Sequence, residues 1–169
     1  MKMRMRLCAS VAVFAFGAWA AAQGQAASPS AQNRSIAKVD SVEYLFPEQV
    51  SVTAGKPISL ALHFRIAQGL HINSHTPGDE YLIPTVFSIP DGAGARLAAA
   101  AYPPGTVFTL PADPTVKLDV YTGEFVIHAR IVAEAGNRLV QGKLRYQACD
   151  NNACMPPRTI TVPIDVMAK

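Results

Sequence analysis

Apolar and polar residues alternate along most of the chain after Lys38, with the two-residue period of a β-strand. The clearest run is Ile58–Ile66, in which every second residue is apolar. The same alternation returns in Phe125–Val132, more weakly in Leu144–Ala148, and again in Ile160–Val166. Each run has one apolar face, so the pattern predicts strands that cover a shared core.

Turn-forming residues separate these runs, for example at Ala54–Pro57, Pro90–Gly92 and Ala135–Asn137. Their spacing predicts about seven to nine strands and favours an all-β antiparallel sandwich over an alternating βαβ fold. Two segments break the pattern. Ala98–Ala101 suits the start of a short helix that the following prolines would stop, and Pro103–Thr122 predicts a long loop over one end of the sandwich.

The first residues are typical of a secretory signal peptide, because three basic residues precede an apolar run of about 15 residues. We assign residues 1–22 to the signal peptide, residues 23–37 to a flexible polar leader and residues 38–169 to one folded domain. The apolar run is shorter than the roughly 20 residues of a membrane-spanning helix. We therefore expect a cleaved chain that is periplasmic or secreted and does not insert into a membrane.

Charge argues against two classes of partner. The whole chain carries 15 Lys and Arg against 12 Asp and Glu, but Lys2, Arg4 and Arg6 belong to the signal peptide. The mature domain is then nearly neutral, without a basic run that would attract nucleic acid or an anionic membrane. We expect neither partner, and we expect a monomer.

The cysteines carry the candidate chemistry. Cys8 leaves with the signal peptide, so Cys149 and Cys154 remain in a compartment where thiols oxidise, and we expect them to pair. Asp150–Asn152 forms a turn between an incoming and an outgoing strand, a geometry that suits a local disulfide. A loop this short stabilises a fold by only about 2 kcal/mol. The residues alone leave a redox-active pair and a structural staple equally open.

A set of motifs resembles the N-terminal periplasmic domain of the thiol:disulfide interchange protein DsbD. The resemblance implies an immunoglobulin-like sandwich and a pair that cycles between dithiol and disulfide without a cofactor. It also implies a thioredoxin-like electron donor and periplasmic disulfide proteins as acceptors. Because the chain stops at Lys169, we expect that donor to be a separate polypeptide. The motifs are Gly69–Asn73, Leu82–Thr85, Tyr102–Pro103, Val120–Gly123 and, most specifically, Tyr146–Pro157.

The resemblance also assigns roles around the pair. Cys154 would form the mixed disulfide with a partner, and Cys149 would resolve it. The family's cap loop, which shields the pair with acidic and aromatic residues, matches Leu118–Gly123, so Asp119 and Tyr121 are predicted beside the cysteines. Val120 stands where the best-known members have a shielding phenylalanine.

Two further residues belong to this candidate site. Tyr146 suits a core position or a neighbour of the disulfide. Pro156 lacks an amide donor and would interrupt the strand next to Cys154, which leaves an edge open to a partner.

Two alternatives come from other classes of protein. The first is an immunoglobulin-like binding module in which the disulfide is only structural. The second is a periplasmic copper chaperone, in which His71, His75 and Met155 would join the two cysteines as soft ligands. A structural histidine is commoner at a strand start than a ligand, so we predict no metal site.

Overall fold

A computed structural model describes residues 40–111 and 113–169. In these residues the chain forms twelve β-strands. The predicted signal peptide and leader lie outside these described residues. Within them there is no helix, and hence no helix suited to crossing a bilayer. The strands are β1 (Val42–Tyr44), β2 (Glu48–Val52), β3 (Pro57–Ile66), β4 (His71–Asn73), β5 (Val86–Ser88), β6 (Ala95–Ala101), β7 (Thr106–Thr109), β8 (Lys117–Tyr121), β9 (Glu124–Ala133), β10 (Gly136–Tyr146), β11 (Ala148–Cys149) and β12 (Arg158–Ala168).

The strands form three sheets of four strands each. The front sheet has the order β1-β3-β9-β6, the back sheet β2-β12-β10-β5, and the end sheet β11-β4-β8-β7. All pairs are antiparallel except β12 with β2. The longest pair joins β10 to β12 over eleven positions, from Gly136 opposite Ala168 to Tyr146 opposite Arg158.

The core lies between the front and back sheets, as the alternation predicts. The apolar residues of β3 and β9 are buried while their neighbours along the strand are partly or fully exposed. A similar alternation of burial holds for β10 and β12, although Leu139 of β10 is 56% exposed. Leu62 and Ile127 from the front sheet belong to one apolar cluster with Val140 and Ile164 from the back sheet. The all-β sandwich prediction is therefore confirmed.

Two local predictions are wrong. Ala98–Ala101 does not start a helix, because it belongs to edge strand β6, which pairs with β9 and accommodates a bulge between Leu97 and Ala99. The segment Pro103–Thr122 is not one long loop either. It contains β7 and β8, which pair as a hairpin from Thr106 opposite Val120 to Thr109 opposite Lys117.

The chain connects the end sheet to both the front sheet and the back sheet. The chain passes from the front sheet to the end sheet between β3 and β4. It passes back from the end sheet to the front sheet between β8 and β9. The back sheet leads into it where β10 gives way to β11 after Gln147 alone. Arg65 pairs with Glu124 and Tyr146 with Arg158, so these crossings occur at one end of each sheet. Both cysteines lie at this end.

Candidate functional site

Cys149 and Cys154 form a disulfide, as their pairing in the sequence analysis predicts, with an S–S distance of 2.05 Å. Cys149 ends β11, and the chain returns at once so that the two cysteines face each other in an isolated antiparallel bridge. Backbone bonds close this small loop from Asp150 N–H to the Ala153 carbonyl (3.0 Å) and from Met155 N–H to the Ala148 carbonyl (2.8 Å). The disulfide is therefore local and joins no two sheets of the core.

Asp150 organises the turn between the cysteines. Its Oδ1 accepts hydrogen bonds from the backbone N–H groups of Asn152 (2.7 Å) and Ala153 (2.8 Å). These two bonds, and more weakly the nearby His71, lower the pKa of the Asp150 carboxyl. The carboxylate is thus the form that holds the turn.

Gln147 anchors the loop to the rest of the end sheet. Its Nε2 donates to the Met155 carbonyl (3.2 Å), while its Oε1 accepts from Asn73 Nδ2 (3.3 Å). Asn73 Nδ2 also donates to the carbonyl of Ile83 (3.0 Å). One amide pair therefore connects the cysteine loop, strand β4 and the segment that follows it.

The two cysteines differ in exposure. Cys149 is buried, with 2% of its surface exposed, whereas Cys154 is exposed. A foreign thiol approaches the sulfur that solvent can reach. The disulfide is therefore asymmetric, with Cys154 on its exposed side.

An apolar groove of about 350 Å³ runs beside the disulfide, and we call it the disulfide groove. The two cysteines and His71 form part of its lining. Its apolar wall comes from the segment after β4 and from the β7–β8 hairpin, and consists of Tyr81, Leu82, Leu110, Val116 and Leu118. Tyr81 is 85% exposed, so the groove presents an aromatic side chain to solvent next to the reachable sulfur.

His71 is the most unusual polar group near the pair. It is opposite Cys149 in the β4–β11 ladder and only 3% exposed. Its ring lies against Phe108 of the hairpin, with ring centroids 4.2 Å apart. Its Nε2 is buried without a hydrogen-bond partner. Burial lowers the pKa of His71, and the negative charge of Asp150 opposes that effect.

The structure places the predicted cap residues on two faces of the end sheet. Val120 is opposite Asn73 and is buried, whereas Asp119 and Tyr121 alternate with it along β8 and point to the other face. The Tyr121 hydroxyl donates to the Pro103 carbonyl (3.0 Å), and its ring stacks on Phe125 of the front sheet. None of the three lines the disulfide groove.

Phe108 also places an aromatic ring at this end of the domain, although the sequence pattern did not indicate it. The signal for it was weak, because Phe108 lies in a proline-rich segment without clear alternation. Pairing of β7 with β8 and the contact with His71 bring it to the cysteine end.

Tyr146 and Pro156 occupy different environments. Tyr146 is fully buried in the core cluster, and its burial raises the pKa of its hydroxyl, which lies beside Ser41 and Val42. Pro156 is exposed between the end of the cysteine loop and β12. Neither residue lines the disulfide groove.

The two histidines of the copper hypothesis have different surroundings. His75 stacks on Tyr102, with ring centroids 3.8 Å apart, and its Nδ1 bonds the Thr85 carbonyl. His71 instead faces Phe108. In residues 40–111 and 113–169, no three His, Cys, Asp or Glu side chains come together in the manner of a metal site.

Comparison with known proteins gives one family. The family model described as the N-terminal part of the thiol:disulfide interchange protein DsbD matches residues 41–165. No curated protein matches the chain.

Two solved structures are also similar to this chain. The reduced N-terminal domain of DsbD from Neisseria meningitidis is 19% identical, with 62% of this chain and 74% of that chain covered and a TM-score of 0.44. The N-terminal periplasmic domain of ScsB from Proteus mirabilis is 14% identical, with 68% and 43% covered and a TM-score of 0.51. At this identity the ScsB likeness speaks for the fold alone.

Proposed function

The chain belongs to the family of DsbD N-terminal domains, and we propose that it relays electrons through Cys149 and Cys154 in the periplasm. The electrons come from a thioredoxin-like donor and pass to proteins that contain a disulfide. Family membership supports thiol–disulfide interchange in general. The donor, the acceptors and the export by a cleaved signal peptide are parts of the proposal.

The observation that carries the proposal is the asymmetry of the disulfide. A structural staple needs no exposed sulfur, and structural sandwich disulfides usually join distant strands through the core. Here Cys154 is exposed at the edge of an apolar groove while Cys149 is buried behind it. A partner thiolate would thus approach the disulfide from the Cys154 side.

The exchange then proceeds in two steps. In the dithiol form, Cys154 attacks a partner disulfide and forms a mixed disulfide, and one partner sulfur leaves as a thiol. Cys149 next attacks the Cys154 sulfur, which releases the second partner sulfur and restores the Cys149–Cys154 bond. The partner gains two electrons and two protons, and the domain loses them.

Trapping of the mixed disulfide tests the proposal. In the Cys149→Ser variant the second step is blocked, so a partner that carries a disulfide, either the oxidised thioredoxin-like protein or a disulfide substrate, should accumulate as a covalent complex, visible on a non-reducing gel. Cys154→Ser is the matched control and should trap little, because its remaining thiol is buried. Equal trapping by both variants, or by neither, would contradict the relay.

The reduction potential separates the relay from the binding module with a structural disulfide. Structural disulfides of secreted proteins have potentials below about −300 mV. A relay must be reduced and reoxidised by its partners, so equilibration with glutathione should give a value well above that figure. A potential below it would favour the structural staple.

A further inference from the structure

We propose that His71 is the base that takes the thiol proton of Cys149 when this cysteine resolves the mixed disulfide at Cys154. This inference rests on the exchange reaction proposed above. It assigns the buried histidine a direct part in the second step and leaves the first step to Cys154.

The ladder of the end sheet brings the two groups together. His71 and Cys149 are direct partners in the antiparallel β4–β11 pair. The Cβ atoms of such partners lie about 4.5–5.5 Å apart, and their side chains share a face. Both residues also line the disulfide groove. The imidazole and the buried sulfur are therefore within reach of each other.

The hydrogen bonding of His71 is incomplete in the oxidised form. Its Nε2 is buried and has no partner, although buried polar atoms are nearly always hydrogen bonded. A disulfide sulfur carries no proton to donate. Reduction places an S–H group on Cys149, which is a donor. The dithiol form thus supplies the partner that the disulfide form lacks.

Burial prepares His71 to accept a proton. It lowers the pKa of the ring below the ordinary value of 6.5, so the imidazole is neutral at pH 7. A thiol of ordinary pKa is almost entirely protonated at pH 7. Cys149 therefore has little thiolate of its own and needs a base. The charged groups that line the two cavities around His71 are Asp150 and Asp79 in the disulfide groove, and Arg65 and Glu124 on the other side.

The proposed step balances in atoms and electrons. Cys149 S–H gives its proton to His71 Nε2, and the resulting thiolate attacks the Cys154 sulfur. The bond between Cys154 and the partner breaks, and the partner sulfur leaves with the electron pair. The imidazolium then gives its proton to the leaving thiolate, directly or through water, and His71 is neutral again.

A small aromatic disulfide, dithiobis(nitrobenzoate), isolates the step, because each attack releases one yellow thiolate. With the reduced domain, the first release reports attack by Cys154 and depends on the reagent concentration. The second release reports closure by Cys149 and does not depend on the reagent concentration.

The variants are His71→Phe, which keeps a ring against Phe108, and His71→Gln, which keeps a polar group that is not a base. His128→Gln, on the exposed face of β9, is the matched control.

We expect the closure rate of the unmodified domain to level off above the pKa of His71. In both His71 variants it should keep rising with pH, because only the intrinsic thiolate of Cys149 reacts. A thiol of ordinary pKa 8.5 is about 3% ionised at pH 7, so the expected loss there is about 30-fold, and it should vanish at high pH. The first release and the His128→Gln control should be unchanged.

An unchanged closure rate and pH profile in both folded His71 variants would overturn the inference. So would an equal slowing at every pH, because that result indicates a packing effect. The reaction uses no protein partner, so its outcome is independent of the trapping experiment. A failure to trap any partner would remove the electron relay and leave this result standing.

Discussion

Gly105 shows how one missing side chain shapes the end sheet. A Cβ at this position would overlap Oδ1 of Asp119 and come within 3.0 Å of the Cβ of Ser74. Oδ1 of Asp119 is itself buried. Gly105 thus lets the chain enter β7 close against β8, and the requirement is one of space.

Gly105→Ala is therefore expected to lower the free energy of unfolding by about 1–3 kcal/mol, the usual cost of overpacking. The added methyl group must displace the Asp119 carboxylate. Adding Asp119→Ala to Gly105→Ala should recover part of the loss, which urea denaturation of the two single variants and the double variant measures. An equal loss in Gly105→Ala and the double variant would show that the carboxylate is not the obstacle.

Asp150 is predicted to favour the disulfide through the turn that it holds. Asp150→Ala removes the acceptor of two backbone bonds, so the cysteines separate more readily, and the equilibrium with glutathione should shift about threefold toward the dithiol. Asp150→Asn keeps an acceptor oxygen and is the control. Because the pKa of Asp150 lies below its ordinary value of 3.8, the effect should persist at neutral pH and fade only as acid titrates the carboxyl.

Among the elements, the β7–β8 hairpin shows where sequence patterns stop being informative. Its two strands have four and five residues and are joined by a turn with two prolines, so no apolar alternation stands out. The turn is instead held by Asp113, whose Oδ1 accepts from the Thr115 N–H (3.0 Å) and hydroxyl (2.6 Å). The sequence pattern predicted that this segment lies over one end of the sandwich, but which residue covers His71 depended on strand pairing.

Removal of the Phe108 ring should expose this end of the domain. Phe108→Ala is expected to increase the rate constant for reduction of the disulfide by dithiothreitol severalfold, because the ring that covers His71 and its surroundings is lost. Val107→Ala is the control on the same strand, since Val107 is 72% exposed and alternates with Phe108. Equal rates in Phe108→Ala and Val107→Ala would show that the ring does not limit access.

Across the described residues, strands with a sustained apolar alternation were predictable and the shortest strands were not. Runs such as β3 and β9 have ten residues, enough for a two-residue period to reveal which face is buried. The end sheet includes strands of two and three residues, whose pairing depends on partners far along the chain. The cysteine pair could be found from spacing and resemblance. The neighbours of the pair depended on register, which shifts a side chain to the opposite face with each residue.

The disulfide lies apart from the apolar core. The disulfide closes a loop of six residues within the end sheet, whereas the apolar cluster joins the front and back sheets. Chain entropy then gives the bond about 2 kcal/mol of stabilisation. The Cys149→Ser, Cys154→Ser double variant should therefore unfold in urea with a free energy about 2 kcal/mol lower and an unchanged denaturant slope. Its far-ultraviolet circular dichroism should remain that of a β-protein. A variant that is unfolded without denaturant would contradict this separation, because a relay domain must stay folded in both redox states.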